Sequence, residues 1–353
     1  MPRFLSLGLI VALAFGAWGA PRVAWAGSLV FSSLDVAGQT AGAAAGIDAR
    51  GRVVGTTTDA AGVSHGLVWS AGVTTLVDGP GRGTVLGAIN SAGVVAGSSA
   101  TGSVPDGVFV EKLSAGVAKP VSASTANAYF VSGLNRAGVM TGTALTSGFS
   151  SSAFITAGRR LSLLAVPGAT LSYGSAINSA GTIVGQYADA ASVQHGYSYA
   201  GGVFTMIDTT LGKAIGTALT FITDTGIIGG SYLTPSCSLT TCPALVHGLV
   251  RRAGVDRAYD FPGKHRSTTV IGVSVAGEVV GNFADPTVQG SENTHGFIYR
   301  AGVYHQIDMP GALYTSIAAV NAAGSIAGTY IDAQLVTHGF VAICPAGSGG
   351  CVN

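Results

Sequence analysis

Ile89-Asn90-Ser91-Ala92-Gly93-Val94-Val95-Ala96-Gly97 decides the fold of this chain, because its pattern, apolar-Asn-x-x-Gly-x-apolar-apolar-Gly, recurs along the whole length. Leu134-Asn135 to Gly138 and Gly142, Ile177-Asn178 to Gly181 and Gly185, and Val320-Asn321 to Gly324 and Gly328 repeat it closely. Ile47-Asp48 to Gly51 and Gly55 puts Asp at the Asn position, and two weaker copies use Thr223 (Gly226, Gly230) and Ser274 (Gly277, Gly281). The key positions are 48, 90, 135, 178, 223, 274 and 321, with gaps of 42, 45, 43, 45, 51 and 47 residues. A fixed period in this range marks a repeat architecture.

Each copy carries further marks downstream. Asp59, Asp189, Asp285 and Asp332 each stand four residues after the second glycine. A His-Gly-apolar step follows at His65, His195, His247, His295 and His338, with Asp106-Gly107 in its place in the second copy. An Asp-x-Pro-Gly-like corner closes the unit at Asp78, Asp260 and Asp308. Asp208 keeps the acid without Pro-Gly, and Val166-Pro167-Gly168 keeps the corner without the acid.

Asn-x-x-Gly suits a tight turn whose glycine takes positive φ and joins two antiparallel strands. Ala-Gly and Gly-Gly steps such as Ala301-Gly302 mark a second hairpin. The segments between turns are four to six residues long and apolar or alternating, so each unit predicts four short strands. No stretch shows a sustained 3.6-residue apolar period, and almost no helix is expected. The last unit runs out after His338-Gly339-Phe340-Val341-Ala342 without its corner strand. Leu29 to Asp35, followed by Ala37-Gly38, matches the missing piece. The reading is therefore all-β: a seven-bladed β-propeller, four short antiparallel strands per blade, with the N-terminal strand closing the last one. An open solenoid, the rival, would want capping units at its ends.

These marks resemble the bacterial extracellular repeats called the HAF family, whose His-Ala-Phe step is written here as His-Gly-Phe. The resemblance covers about residues 28 to 342. It implies export and repetition, and it carries no catalytic residue over to this chain.

Met1-Pro2-Arg3, the apolar run Phe4 to Ala20 and the small-x-small site Ala24-Trp25-Ala26 predict a secretory signal peptide over 1–26, cleaved after Ala26. A single repeat domain is expected over 27–343 and a short tail over 344–353. No later run is long and apolar enough to span a bilayer, and a secreted or periplasmic monomer is the expectation. Export favours two local disulfides, Cys237–Cys242 and Cys344–Cys351. Removing Arg3 and Arg22 from the 17 basic residues leaves 15 against 16 acidic ones. With no basic surplus to meet phosphates, nucleic-acid binding is not expected.

The repeated histidines and aspartates, together with Asp35 of the N-terminal strand, read as scaffold. One His and one Asp per unit are too few to ligate a metal, and the His position resembles the in-blade hydrogen-bond network of WD-repeat propellers. No cofactor is expected; calcium at the aspartates is the only candidate. A catalytic site is built once and should break the repeat. The acids outside the pattern are few: Glu111, Glu278, Glu292, Asp224 and Asp256. The irregular loops at 233–246 and 286–294 are candidate binding surfaces, with Tyr232, Tyr259, Lys264, His265 and Glu292 nearby. The composition thus favours a non-catalytic binding or structural module for an extracellular ligand, a glycan or a cell-surface component. The alternative is an extracellular hydrolase or lyase at the channel mouth. That reading requires two carboxylates, or a histidine with a carboxylate, in one pocket.

Overall fold

The computed structural model describes residues 22–25, 29–100, 105–121, 126–146, 150–235, 244–263, 267–285 and 293–343. The chain is a β-propeller of four-stranded antiparallel sheets, with the three-residue 3₁₀ turn Leu211–Lys213 as the only helical element among the described residues. The first sheet sets the pattern with Gln39–Ile47, Val53–Asp59, Ser64–Ser70 and Val73–Val77 paired in chain order, strands A to D. Three more four-stranded sheets follow over 83–121, 128–163 and 171–206.

A nine-stranded sheet comes next. It holds two such ladders, over 216–259 and 267–307, joined by a single parallel bridge between Val246 and Ser267. Its ninth strand is Arg22–Trp25, which lies parallel against Val303–Ile307. The last sheet is Tyr314–Val320, Ile326–Ile331 and Thr337–Ile343, completed by Val30–Ser33 from the other end of the chain. The rest of the expected signal segment lies outside the described residues, as do all four cysteines and Lys264, His265 and Glu292. No helix among the described residues is long and apolar enough to cross a membrane.

The two motif glycines have separate physical reasons. The first ends the A–B turn with φ between +78° and +86° in every copy, as at Gly93 and Gly324, where a side chain would be strained. The second lies opposite a break in register. Every A strand carries a β-bulge three residues before the Asn position, for example between Leu86 and Ala88 and between Ile317 and Ala319. The bulge drives the A-strand backbone onto its partner, so a Cβ on Gly142 would overlap the carbonyl oxygen of Phe130. Bulges sharpen twist and bend the strand that bears them.

The asparagines stitch neighbouring repeats together. Asn90 accepts hydrogen bonds from the amides of Ala92 and Val94, closing its own turn, and its Nδ2 donates to the carbonyl of Asn135 at 2.9 Å. Asn135 donates in turn to Asn178, and Asn178 to Thr223. Asn321 donates to the carbonyl of Asp48. Asp48 has no side-chain N–H to pass the chain on to Asn90. Its carboxylate accepts instead from the amides of Arg50 and Arg52 and from the Arg52 guanidinium.

The C–D hairpins are two-residue turns with both residues at positive φ: Ala71-Gly72, Gly201-Gly202, Ala253-Gly254 and Ala301-Gly302. Apolar side chains from facing sheets fill the space between them. One cluster joins Val53, Leu67 and Trp69 of the first sheet to Ala327 and Val341 of the last, with Leu34 wedged beside them.

Candidate functional site

The repeated histidines form a network within each sheet. Nδ1 of His65, His195, His247, His295 and His338 meets the corner carboxylates of Asp78, Asp208, Asp260, Asp308 and Asp35, at 2.7 to 3.1 Å. Thirteen residues separate histidine and acid in the first four cases. Asp35 reaches His338 from 303 residues away. The corner acids bind the His-Gly step, and Asp208 and Asp260 also accept from the amides of Gly196 and Gly248.

The acids four residues after the second glycine do cap their own turns. Asp59, Asp189 and Asp332 accept from amides two and four residues on. Their other oxygen faces the histidine Nε2, at 3.1 to 3.6 Å. In the fifth repeat Thr234 takes this place and shares a 2.9 Å hydrogen bond with His247.

Four of the five rings also stack on their cross-strand partners: His195 on Tyr187, His247 on Tyr232, His295 on Phe283 and His338 on Tyr330, with centroids 4.8 to 5.2 Å apart. Tyr232 is therefore buried in this scaffold. Tyr259 is buried too, edge-on to Tyr299 and under Arg257. Both proximal tyrosines of the candidate loops are strand residues.

The networks shift the titration of their members. Burial opposes charge on His65 and His338, but the carboxylates on both sides outweigh it and raise both pKa values. Donation to Asp208 raises His195 and donation to Asp308 raises His295, each against desolvation. Among the acids, the turn amides of Val63, Val193 and Val336 lead in lowering Asp59, Asp189 and Asp332. Among the described residues no group of three or more His, Cys, Asp or Glu is placed to hold a metal ion.

The second repeat departs from this pattern. Gly107, not Asp106, pairs with Ser99, in the register where His65 pairs with Thr57. Four residues on, Glu111 pairs with Val95, the position held elsewhere by Trp69, Tyr199 and Tyr299. Strand alternation puts Glu111 on the same side as Phe109, which packs against Val54 and Val68 of the first sheet. Glu111 is 7% exposed, and burial alone raises its pKa, with no hydrogen bond or charge acting on it.

It lines a cleft of about 630 Å³ between the first two sheets, walled by Val68, Leu76, Leu113 and Ala118, with Arg52 and Asp78 on its surface. Of the other described acids outside the repeat, Asp224 bonds Ser179, Asp256 pairs with Arg251, and Glu278 accepts from Ser274 through one oxygen while its buried Oε1 lies 3.8 Å from Arg300 with no hydrogen bond. Sequence reading counted Glu111 among the few irregular acids but did not place it. The available signal was an acid at a strand position that three other repeats fill with an aromatic residue.

No protein-family model matches the sequence, and no curated protein matches it. Solved structures do. The β-propeller domain of the Trilobed protease from Pyrococcus furiosus aligns with a TM-score of 0.59 at 9% identity, over 85% of this chain and 95% of that one. A Mycobacterium tuberculosis puromycin-hydrolyzing peptidase aligns at 0.56 and 11%, over 91% of this chain and 52% of that one. The Pyrococcus horikoshii acylaminoacyl peptidase aligns at 0.55 and 9%, over 85% and 51%. The chain thus spans about half the length of those two peptidases. At such identity the likeness establishes the propeller fold. These neighbours correct the expectation of a non-catalytic binding module and turn the choice to the hydrolase alternative.

Proposed function

We propose that the chain is an exported hydrolase acting on peptides, with its substrate held in the cleft between the first two sheets. The observation that carries this is Glu111, a buried carboxyl with no partner, facing a cleft that also presents the Asp78 carboxylate on His65. Asp78, paired with His65, is the acid–base group of this reading, and Glu111 is the acid that the bound substrate meets. The propellers of the Trilobed protease and of the two peptidases favour peptides as the substrate class.

The same reading takes the chain as a ring of seven blades belonging to the HAF-type repeats. Seven motif copies support this, as do the packing of the last sheet on the first and the Asn321–Asp48 bond. Export with cleavage after Ala26, and disulfides 237–242 and 344–351, rest on the sequence signals.

The test is release of chromophore from a panel of peptide anilides by the purified, processed chain. Hydrolysis that falls at least a hundredfold in Glu111→Gln, with unchanged thermal melting, is the expected result. No turnover across the panel, or full activity in the variant, overturns the proposal.

A further inference from the structure

The cleft holds an electrostatic imbalance. Glu111 is 7% exposed overall and its carboxyl has no hydrogen-bond partner from the protein, so a cation entering the cleft meets an unpaired acid. The cation on the cleft surface, Arg52, is already committed. Its Nε and Nη2 donate to Asp48 at 2.8 and 2.5 Å, and its Nη1 lies against Gly93 in the turn of the second repeat. Asp78 adds a second carboxylate to the lining. Val68, Leu76, Leu113 and Ala118 form an apolar stretch of the wall, beside the hydroxyls of Ser70, Thr75 and Ser114.

We infer that the cleft selects a basic side chain, the guanidinium or ammonium of an Arg or Lys residue in a peptide. Its charged head meets Glu111 and its methylene stem lies along the apolar wall. This assignment rests on the proposed peptide reading and names the specificity of that site. Long basic side chains bury their stems on apolar surface in this way, and about 630 Å³ is ample for one such side chain and the peptide around it. A cation here satisfies the buried acid, whereas an anion would face two carboxyls, and a neutral chain would leave Glu111 unpaired. The other engaged acids show the contrast. Asp256, at the end of the fifth repeat's outer hairpin, receives its guanidinium from within the protein, from Arg251. Arg251 occupies the strand register of Glu111, so the fifth repeat carries a built-in cation where the second leaves an acid open.

The experiment is calorimetric titration of the intact chain with acetyl-Ala-Arg-Ala-amide and with the same peptide carrying citrulline for arginine. Citrulline keeps shape and hydrogen bonding and removes the charge. The wild type should bind the arginine peptide at least tenfold more tightly. Glu111→Gln should bring the two peptides within twofold of each other while melting at the wild-type temperature. Equal binding of the two peptides by the wild type overturns the inference without any variant being needed. Retained charge preference in Glu111→Gln overturns the assignment to that residue. Binding requires no turnover, so charge-selective binding without hydrolysis sinks only the hydrolase reading. Hydrolysis with no charge preference sinks only this inference.

Discussion

The side-chain amide of Asn321 donates to the backbone carbonyl of Asp48 at 3.0 Å, across 273 residues of sequence. This one bond ties the turn of the last repeat to the turn of the first. It also explains why the first copy tolerates aspartate: only the carbonyl of residue 48 is needed by its predecessor.

Replacing Asn321 should separate its two duties. Asn321→Asp keeps the oxygen that accepts from the amides of Ala323 and Ser325 and loses the donor to Asp48. Asn321→Ala loses both. The aspartate variant should cost about 1 kcal/mol and the alanine variant about 2–3 kcal/mol in urea unfolding, given ~1 kcal/mol per net hydrogen bond. A wild-type midpoint for Asn321→Asp would show that the link between repeats contributes nothing.

The two motif glycines should respond differently to the same methyl. At Gly138 a Cβ meets open space, but φ is +83°, so Gly138→Ala should cost roughly 1–2 kcal/mol from the left-handed backbone. At Gly142 it would enter the carbonyl oxygen of Phe130 opposite the bulge, so Gly142→Ala should cost more than about 3 kcal/mol, as overpacking against backbone does. Denaturant midpoints of the two variants decide the order.

Leu34, just past the strand Val30–Ser33, is 2% exposed between the first and last sheets. Leu34→Ala should destabilise the whole domain by about 2–5 kcal/mol, the range for a buried leucine. A loss confined to fraying of the N-terminal strand, seen as fast amide exchange at 30–33 with an unchanged global midpoint, would contradict a cooperative role for that strand.

Stability should fall on the alkaline side of neutrality. The folded pKa values of His65, His195, His295 and His338 are raised above 6.5. Their contribution is fully present below the unfolded value and is lost as pH rises through the folded values. The lowered acids Asp59, Asp189 and Asp332 contribute above their unfolded value near 3.8 and lose it as pH falls through the folded values. Melting temperature should therefore peak between about pH 4 and pH 6.5 and decline above it. Asp208→Asn should flatten the alkaline limb by removing the partner of His195 and leave the acid limb in place.

The sequence by itself determined the repeat and the strand count per repeat. These depend on local rules: a glycine at positive φ, a two-residue hairpin, an apolar run of strand length. Each rule acts within a few residues and leaves its mark in the chain order.

The sequence reading also placed the N-terminal strand, because the segment Leu29 to Asp35 carries the same mark as Asp308 and its strand. The bulge before each Asn was not legible. Its cause is a backbone meeting between two strands, and the second glycine records only the result.

Tertiary structure alone decided which partner each side chain found. The corner acids went to histidines thirteen residues back rather than to their own turns, because antiparallel pairing brings those positions side by side. Tyr232 and Tyr259 became core because their strands face inward. Glu111 became the candidate site for the same kind of reason. Its position along the strand is fixed by local pairing, but what it meets is set by the adjoining sheet, where Asp48 holds the Nε and Nη2 of Arg52.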